Sequence, residues 1–177
     1  PSCLIDRTQT VNFRFNETDP CASMTIQTRI ENATSARVRR PGEFEKHAQT
    51  WMAWPHRKDL YEDLLPDVQK GYVAVAKAIS EFEPVTMVAH PKHANTARKM
   101  LGNHAIVVEI PINDCWARDS GPTFVQNADG TGAGVSWHFN AWGGKHAPFD
   151  KDDELAGRIL ENQGMQMRRS WLHCEGG

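Results

Sequence analysis

Trp116 and Asp119 lie three residues apart in CWARDSGPT, residues 115–123, directly after the apolar run AIVVEIP. An indole beside a carboxylate at the end of a buried strand can receive a planar cation. The acid accepts paired N–H bonds, roughly 1.5–3 kcal/mol for each charged hydrogen bond, and the ring face adds about 0.5–2 kcal/mol through cation–π attraction. The planar cation natural to that arrangement is a guanidinium. Arg118 and Asp119 are adjacent, so on an extended segment they point to opposite sides, and Arg118 can anchor the loop while Asp119 faces a pocket. The competing reading buries Trp116 in the core and has Arg118 and Asp119 bind backbone or distant charges.

Other stretches carry weaker chemistry. FNAWGGKH, residues 139–146, is a second aromatic strand end opening into glycines. It fails the phosphate-cradling pattern G-x-x-x-x-G-K-[ST], because Phe139 takes the place of the first glycine and His146 that of the Ser or Thr. The paired glycines instead permit a tight loop close to a ligand or to a neighbouring strand. His90-Pro91-Lys92-His93 lacks a third ligand and reads as a solvated loop, so no metal is assigned. A Cys beside a His in WLHCEGG, residues 171–177, suggests a nucleophile and base. Alternation along a strand, however, puts His173 on the side of Glu175 and turns Cys174 away. Cys174 is read as an inert thiol and His173 as part of a pocket wall.

Strand ends must hold these loops, and the apolar periodicity supplies them. QTWMAW, residues 49–54, reads as a first strand closed by Pro55. Val68, Tyr72, Val75, Ile79 and Phe82 recur at helical spacing within 59–83, with Pro66 near the start. Residues 84–89 predict a buried strand, 91–101 a helix and 105–110 a further strand, before a loop over 111–122. Residues 123–125 and 133–139 form a strand pair around Asn127-Ala128-Asp129-Gly130, 150–163 a helix and 165–174 a last strand. The class is α/β, and the strand pair, helix, strand phrase suggests repeated modules.

The composition narrows the function. A chain of 177 residues, 40% apolar and 24% charged with a net charge of −2, is that of one soluble globular domain or part of one. It has no basic excess for nucleic acid. No apolar run reaches the length of a membrane span, and no secretory core opens the chain, so the expected location is the cytoplasm. Four scattered cysteines without a C-x-x-C pair indicate neither zinc nor a disulfide framework. Residues 1–40 are polar with short apolar clusters and are expected to be a low-order extension before a domain over 41–177.

Five blocks together point to one family: Pro41–Glu45 (PGEFE), Thr50–Arg57 (TWMAWPHR), Asp114–Val125 (DCWARDSGPTFV), Phe139–Lys145 (FNAWGGK) and Glu175–Gly177 (EGG). In order and spacing they resemble the agmatine deiminases and bacterial-type peptidyl-arginine deiminases. The resemblance implies a pentein fold, a propeller of five ββαβ-type modules around a central pocket, and hydrolysis of a guanidinium group, as in agmatine to N-carbamoylputrescine plus ammonia on the route to putrescine. It implies that Asp119 binds the guanidinium, that Trp116 lines the substrate channel and that Glu175 belongs to the catalytic group. A cysteine nucleophile and a proton-transferring histidine complete the family's chemistry, without metal or organic cofactor. In the family both of these, with a second guanidinium-binding aspartate, come after the EGG block. The expectation is therefore about two of the five modules, inactive alone, within a deiminase that acts on a small guanidino substrate and is open to forming a homo-oligomer. The alternatives are a protein-arginine deiminase and a non-catalytic guanidino-binding or scaffold protein.

Overall fold

The computed structural model describes residues 38–174. The expected extension over 1–40 falls outside them except for its last residues, where Arg39 makes an antiparallel bridge with Gln126. From Thr50 onward the chain is organised by two three-stranded sheets.

The first sheet is wholly parallel, in the order β1 (Thr50–Ala53), β2 (Val85–Ala89), β3 (Ile106–Glu109). Every residue of β2 is buried, as a central strand covered on both faces must be. Its alternation divides two cores. Val85, Met87 and Ala89 pack with Trp54, Ala76, Ala94, Ala97 and Leu101, whereas Val88 packs with Ala53, Ile110, Ile112, Cys115, Leu155 and Ile159.

The helical run expected over 59–83 is interrupted. It is α1 (Lys58–Tyr61), a 3₁₀ turn (Glu62–Leu64) and α2 (Leu65–Ser80). Pro66 explains the break: its ring would collide with the carbonyl of residue 62 in a continuous helix, and Glu62 departs to φ 48° and ψ −125°. The buried side of α2 is also turned from the expected stripe. Ala76 is its fully buried centre, with Tyr72, Val73 and Ile79 beside it, while Val75 and Phe82 face solvent. The alanines of α2 and of α3 (Ala94–Leu101) let both helices lie close to β2.

The second sheet runs β4 (Thr123–Gln126), β5 (Gly132–His138), β6 (Gln166–His173), with β4 antiparallel to β5 and β5 parallel to β6. One turn of helix, α4 (Ala117–Ser120), precedes β4, and the connection from β5 to β6 carries α5 (Asp150–Asp153) and α6 (Leu155–Asn162). This is the expected strand pair, helix, strand unit. Leu155 and Ile159 of α6 reach the core of the first sheet, and Leu160 covers β5. A Cβ at buried Gly134 would overlap the Leu160 side chain. Gly134→Ala is therefore expected to destabilise the protein by about 1–3 kcal/mol through overpacking, seen as a lower denaturant midpoint at unchanged m. None of the described helices is long and apolar enough to cross a membrane.

Candidate functional site

The segment leaving β3 is fixed by a buried polar bracket. Asp152 of α5 accepts the backbone N–H of Asn113 at 2.8 Å and that of Asp114 at 3.1 Å. Asn113 answers through its side-chain oxygen, which accepts the N–H of Lys151 at 2.7 Å and of Asp152 at 3.3 Å. Asp114 Oδ1 accepts the N–H of Cys115 at 2.7 Å. Its Oδ2 and Arg57 Nη1 are buried without a hydrogen bond and lie 3.9 Å apart, so each is the other's electrostatic compensation. Burial outweighs the N–H donors at Asp152 and pushes its carboxyl up to about 6. The expected loop over 111–122 is thus ordered by groups that carry no strand or helix signal.

Cys115 lies inside this bracket. Its sulfur is 3.2 Å from the hydroxyls of Tyr61 and Tyr72, and burial raises the thiol above its ordinary range. A protonated, buried thiol is a poor nucleophile.

After Cys115 the backbone forms one helical turn, α4 (Ala117–Ser120), closed by Ser120 Oγ donating to the Trp116 carbonyl at 2.9 Å. The extended segment expected here is therefore a turn of helix. Residues three apart share a face on such a turn, which brings Trp116 and Asp119 to one side, whereas Arg118, two residues on from Trp116, points away from it. Arg118 donates to Glu43 Oε1 at 3.1 Å. Both side chains are 66% exposed, so this anchor contributes under about 1 kcal/mol. Asp119 is half-buried, and among the described residues its carboxylate has neither a hydrogen bond nor a salt bridge, while its own N–H goes to the Trp116 carbonyl at 3.1 Å. The ion-pair reading of Asp119 does not hold among these residues.

Gly121 ends the turn with ordinary extended dihedrals, φ −78° and ψ 169°, so its need for glycine is one of space. A Cβ there would overlap the Ala117 carbonyl oxygen. Gly121→Ala is expected to push α4 off its seat, costing about 1–3 kcal/mol in a thermal melt and shifting the environment of the Trp116 indole, read by its fluorescence maximum.

The two aromatic loops singled out in the sequence meet. Trp116 lies edge-to-face against Trp142 at 5.7 Å between ring centroids, and Trp142 makes the same contact with Phe139 at 5.4 Å and His146 at 5.6 Å. Trp142 is placed by a left-handed turn: Ala141, Trp142, Gly143 and Gly144 have φ of 50°, 55°, 80° and 79°. The glycines serve this handedness rather than a close approach, since a Cβ at either meets nothing within 4 Å. For Ala141 and Trp142 the conformation costs roughly 1–2 kcal/mol per residue, and Asn140 holds it by accepting the Gly143 N–H at 2.8 Å. Strain of this kind concentrates where side-chain placement matters to function.

Glu175 lies outside the described residues. His173, at the end of β6, is exposed with its ring centroid 5.8 Å from that of His138 and tilted against it, and His138 Nδ1 is 3.4 Å from Asp153 Oδ1.

A family model described as Porphyromonas-type peptidyl-arginine deiminase matches residues 39–177. The agmatine deiminase of Pseudomonas aeruginosa is 47% identical over 128 residues, 70% of this chain and 35% of that protein. The agmatine deiminase of Stutzerimonas stutzeri is 42% identical over 149 residues, 77% of this chain and 40% of that protein. The solved structure of the Enterococcus faecalis agmatine deiminase superposes with a TM-score of 0.75 at 40% identity, covering 79% of this chain and 40% of that one. The chain thus spans little more than a third of the length of the curated relatives it matches, and its two sheets correspond to part of the pentein propeller.

Proposed function

The chain belongs to the Porphyromonas-type peptidyl-arginine deiminase family, and we propose that the whole protein hydrolyses the guanidinium of agmatine to N-carbamoylputrescine and ammonia, a step toward putrescine. The observation that carries this reading is the Asp119 carboxylate, left without a protein partner among the described residues on the same helical face as Trp116. A guanidinium is flat, cationic and a poor electrophile because its charge is delocalised. Asp119 takes its paired N–H groups, the Trp116 ring covers its face, and Glu175 supplies a second carboxylate as the carbon passes from planar to tetrahedral. Fixed orientation of the group lowers the barrier by several kcal/mol on the scale of intramolecular reactions, about 7–11 kcal/mol at most.

Residues 41–177 are, on this reading, the N-terminal part of the catalytic domain. On this reading the thiol and the proton-transferring histidine come from parts of the whole protein outside these residues, in keeping with the family's order of motifs, and the buried, protonated Cys115 does not suit the nucleophile's role. The 177-residue chain by itself is expected to release no ammonia from agmatine. A cytoplasmic location and a homo-oligomeric assembly are compatible with the reading. The description of the matching family favours a second substrate class, peptidyl arginine. Rates of ammonia release by the full-length protein from agmatine and from a blocked arginine peptide separate the two: preference for agmatine supports the proposal, and preference for the peptide replaces it. Tight guanidine binding with no turnover of either substrate would leave the non-catalytic binding protein standing.

A further inference from the structure

The carboxyl ends of β1 and β2 and the segment after β3 open on a pocket of about 360 Å³ whose lining includes neither Trp116 nor Asp119. Its size falls within the range of small-molecule sites, and the carboxyl ends of parallel strands are where α/β sheets place them. The side chains that meet there are His56 and Arg57 after β1, His90, Lys92 and His93 after β2, and Lys151 at α5. The three imidazole centroids form a triangle with sides of 4.8, 5.7 and 6.0 Å. Two of the three are held by hydrogen bonds: His56 Nδ1 is 3.3 Å from the Trp54 carbonyl, and His90 Nδ1 accepts the Lys92 N–H at 3.2 Å, which leaves the ring proton of neutral His90 on Nε2.

Charge selects the kind of ligand. Asp59 is the one acid in the lining, and it already accepts from Arg57 Nη2 at 2.6 Å. Lys58, Lys92 and Lys151 have no carboxylate partner among the described residues, and a metal cation would meet their repulsion. The same positive field is visible in the imidazoles. Burial holds His56 below its ordinary range, aided by His93 and His90 and opposed by the Trp54 carbonyl and Asp114. Burial also lowers His90, with Lys151, His93 and Lys92 adding to it. A dianion would relieve the repulsion and draw protons onto His56 and His90, and the pocket has room for an organic group beside it.

We propose that this pocket binds a small phosphomonoester, its oxyanion held by Lys92, Lys151 and the imidazoles of His56, His90 and His93. Calorimetric titration of the full-length protein with glycerol 3-phosphate and with sulfate tests this. Sulfate keeps its charge between about pH 6 and about pH 8, so any change in its affinity across that window belongs to the protein. One site per chain is expected, with sulfate bound about tenfold more tightly at the lower pH and with net proton uptake. Lys151→Met and His90→Gln should each weaken both anions by about tenfold at an unchanged melting temperature, whereas Asp119→Ala should leave them unchanged, which separates this site from the guanidinium site. Absence of saturable binding, or binding that neither variant weakens, overturns the proposal. Binding of sulfate without glycerol 3-phosphate overturns its ligand class.

Discussion

Asp119→Ala in the full-length protein is expected to lower kcat/KM for agmatine by roughly 10²–10⁴. The figure comes from the bonds lost: two charged hydrogen bonds at about 1.5–3 kcal/mol each, converted at 1.4 kcal/mol per factor of ten. Because Asp119 makes no side-chain bond within the described residues, its removal should leave the melting temperature almost where it was. That combination distinguishes a substrate ligand from a structural acid. Asp119→Asn keeps the shape but loses the charge and half of the acceptor capacity, and should recover only a small part of the rate. A melting temperature that falls with the rate, or a rate that survives alanine, would remove Asp119 from the site. Steady-state ammonia assays and a scanning melt of the same two variants decide it.

Asp152→Ala is expected to be the most destabilising single change in this part of the molecule, at about 2–5 kcal/mol. It would strand the N–H groups of Asn113 and Asp114 in the interior, each at about 1–3 kcal/mol. Urea unfolding at neutral pH checks the size. The pH dependence checks the cause. The folded carboxyl is pushed up to about 6, from 3.8 for a free aspartate, chiefly by burial. Between those two values the folded state holds a proton that the unfolded state has lost. Asp152 therefore contributes most below the unfolded value, and that contribution declines as pH rises through the folded one, by an amount on the order of 3 kcal/mol. Wild-type stability measured from about pH 4 to about pH 7 should carry this downward component, and Asp152→Ala should lack it. A variant whose slope matches the wild type would show that Asp152 titrates as an ordinary surface acid.

The elements of both sheets are legible in the chain because β2 and β3 are short apolar runs bounded by turn residues, and the Asn127–Gly130 turn sits where β4 must reverse into β5. The interruption of the first helical run is written in Pro66, but reading it requires knowing that residue 62 can yield. The buried side of α2 is harder to place because alanine carries little weight in an apolar stripe, yet Ala76 is what permits close packing. At the site, the types of Trp116 and Asp119 point to a flat cation, but their common face depends on a helical turn too short to have a period. The bracket of Asn113 and Asp152 joins residues 39 apart through backbone donors, and polar residues announce no such partner in advance. The glycine pair is legible as conformational freedom. The left-handed setting of Ala141 and Trp142 is not, since neither residue favours it and only the surrounding structure imposes it.

Helix α6 inserts Leu155 and Ile159 among the residues beneath β2 while Leu160 rests on β5. One rod thus serves as mortar for two courses of brick. In such an array neither sheet has a private melting point: the loss of one exposes the underside of the other, and free energy accrues at the seams between neighbours more than within any single unit.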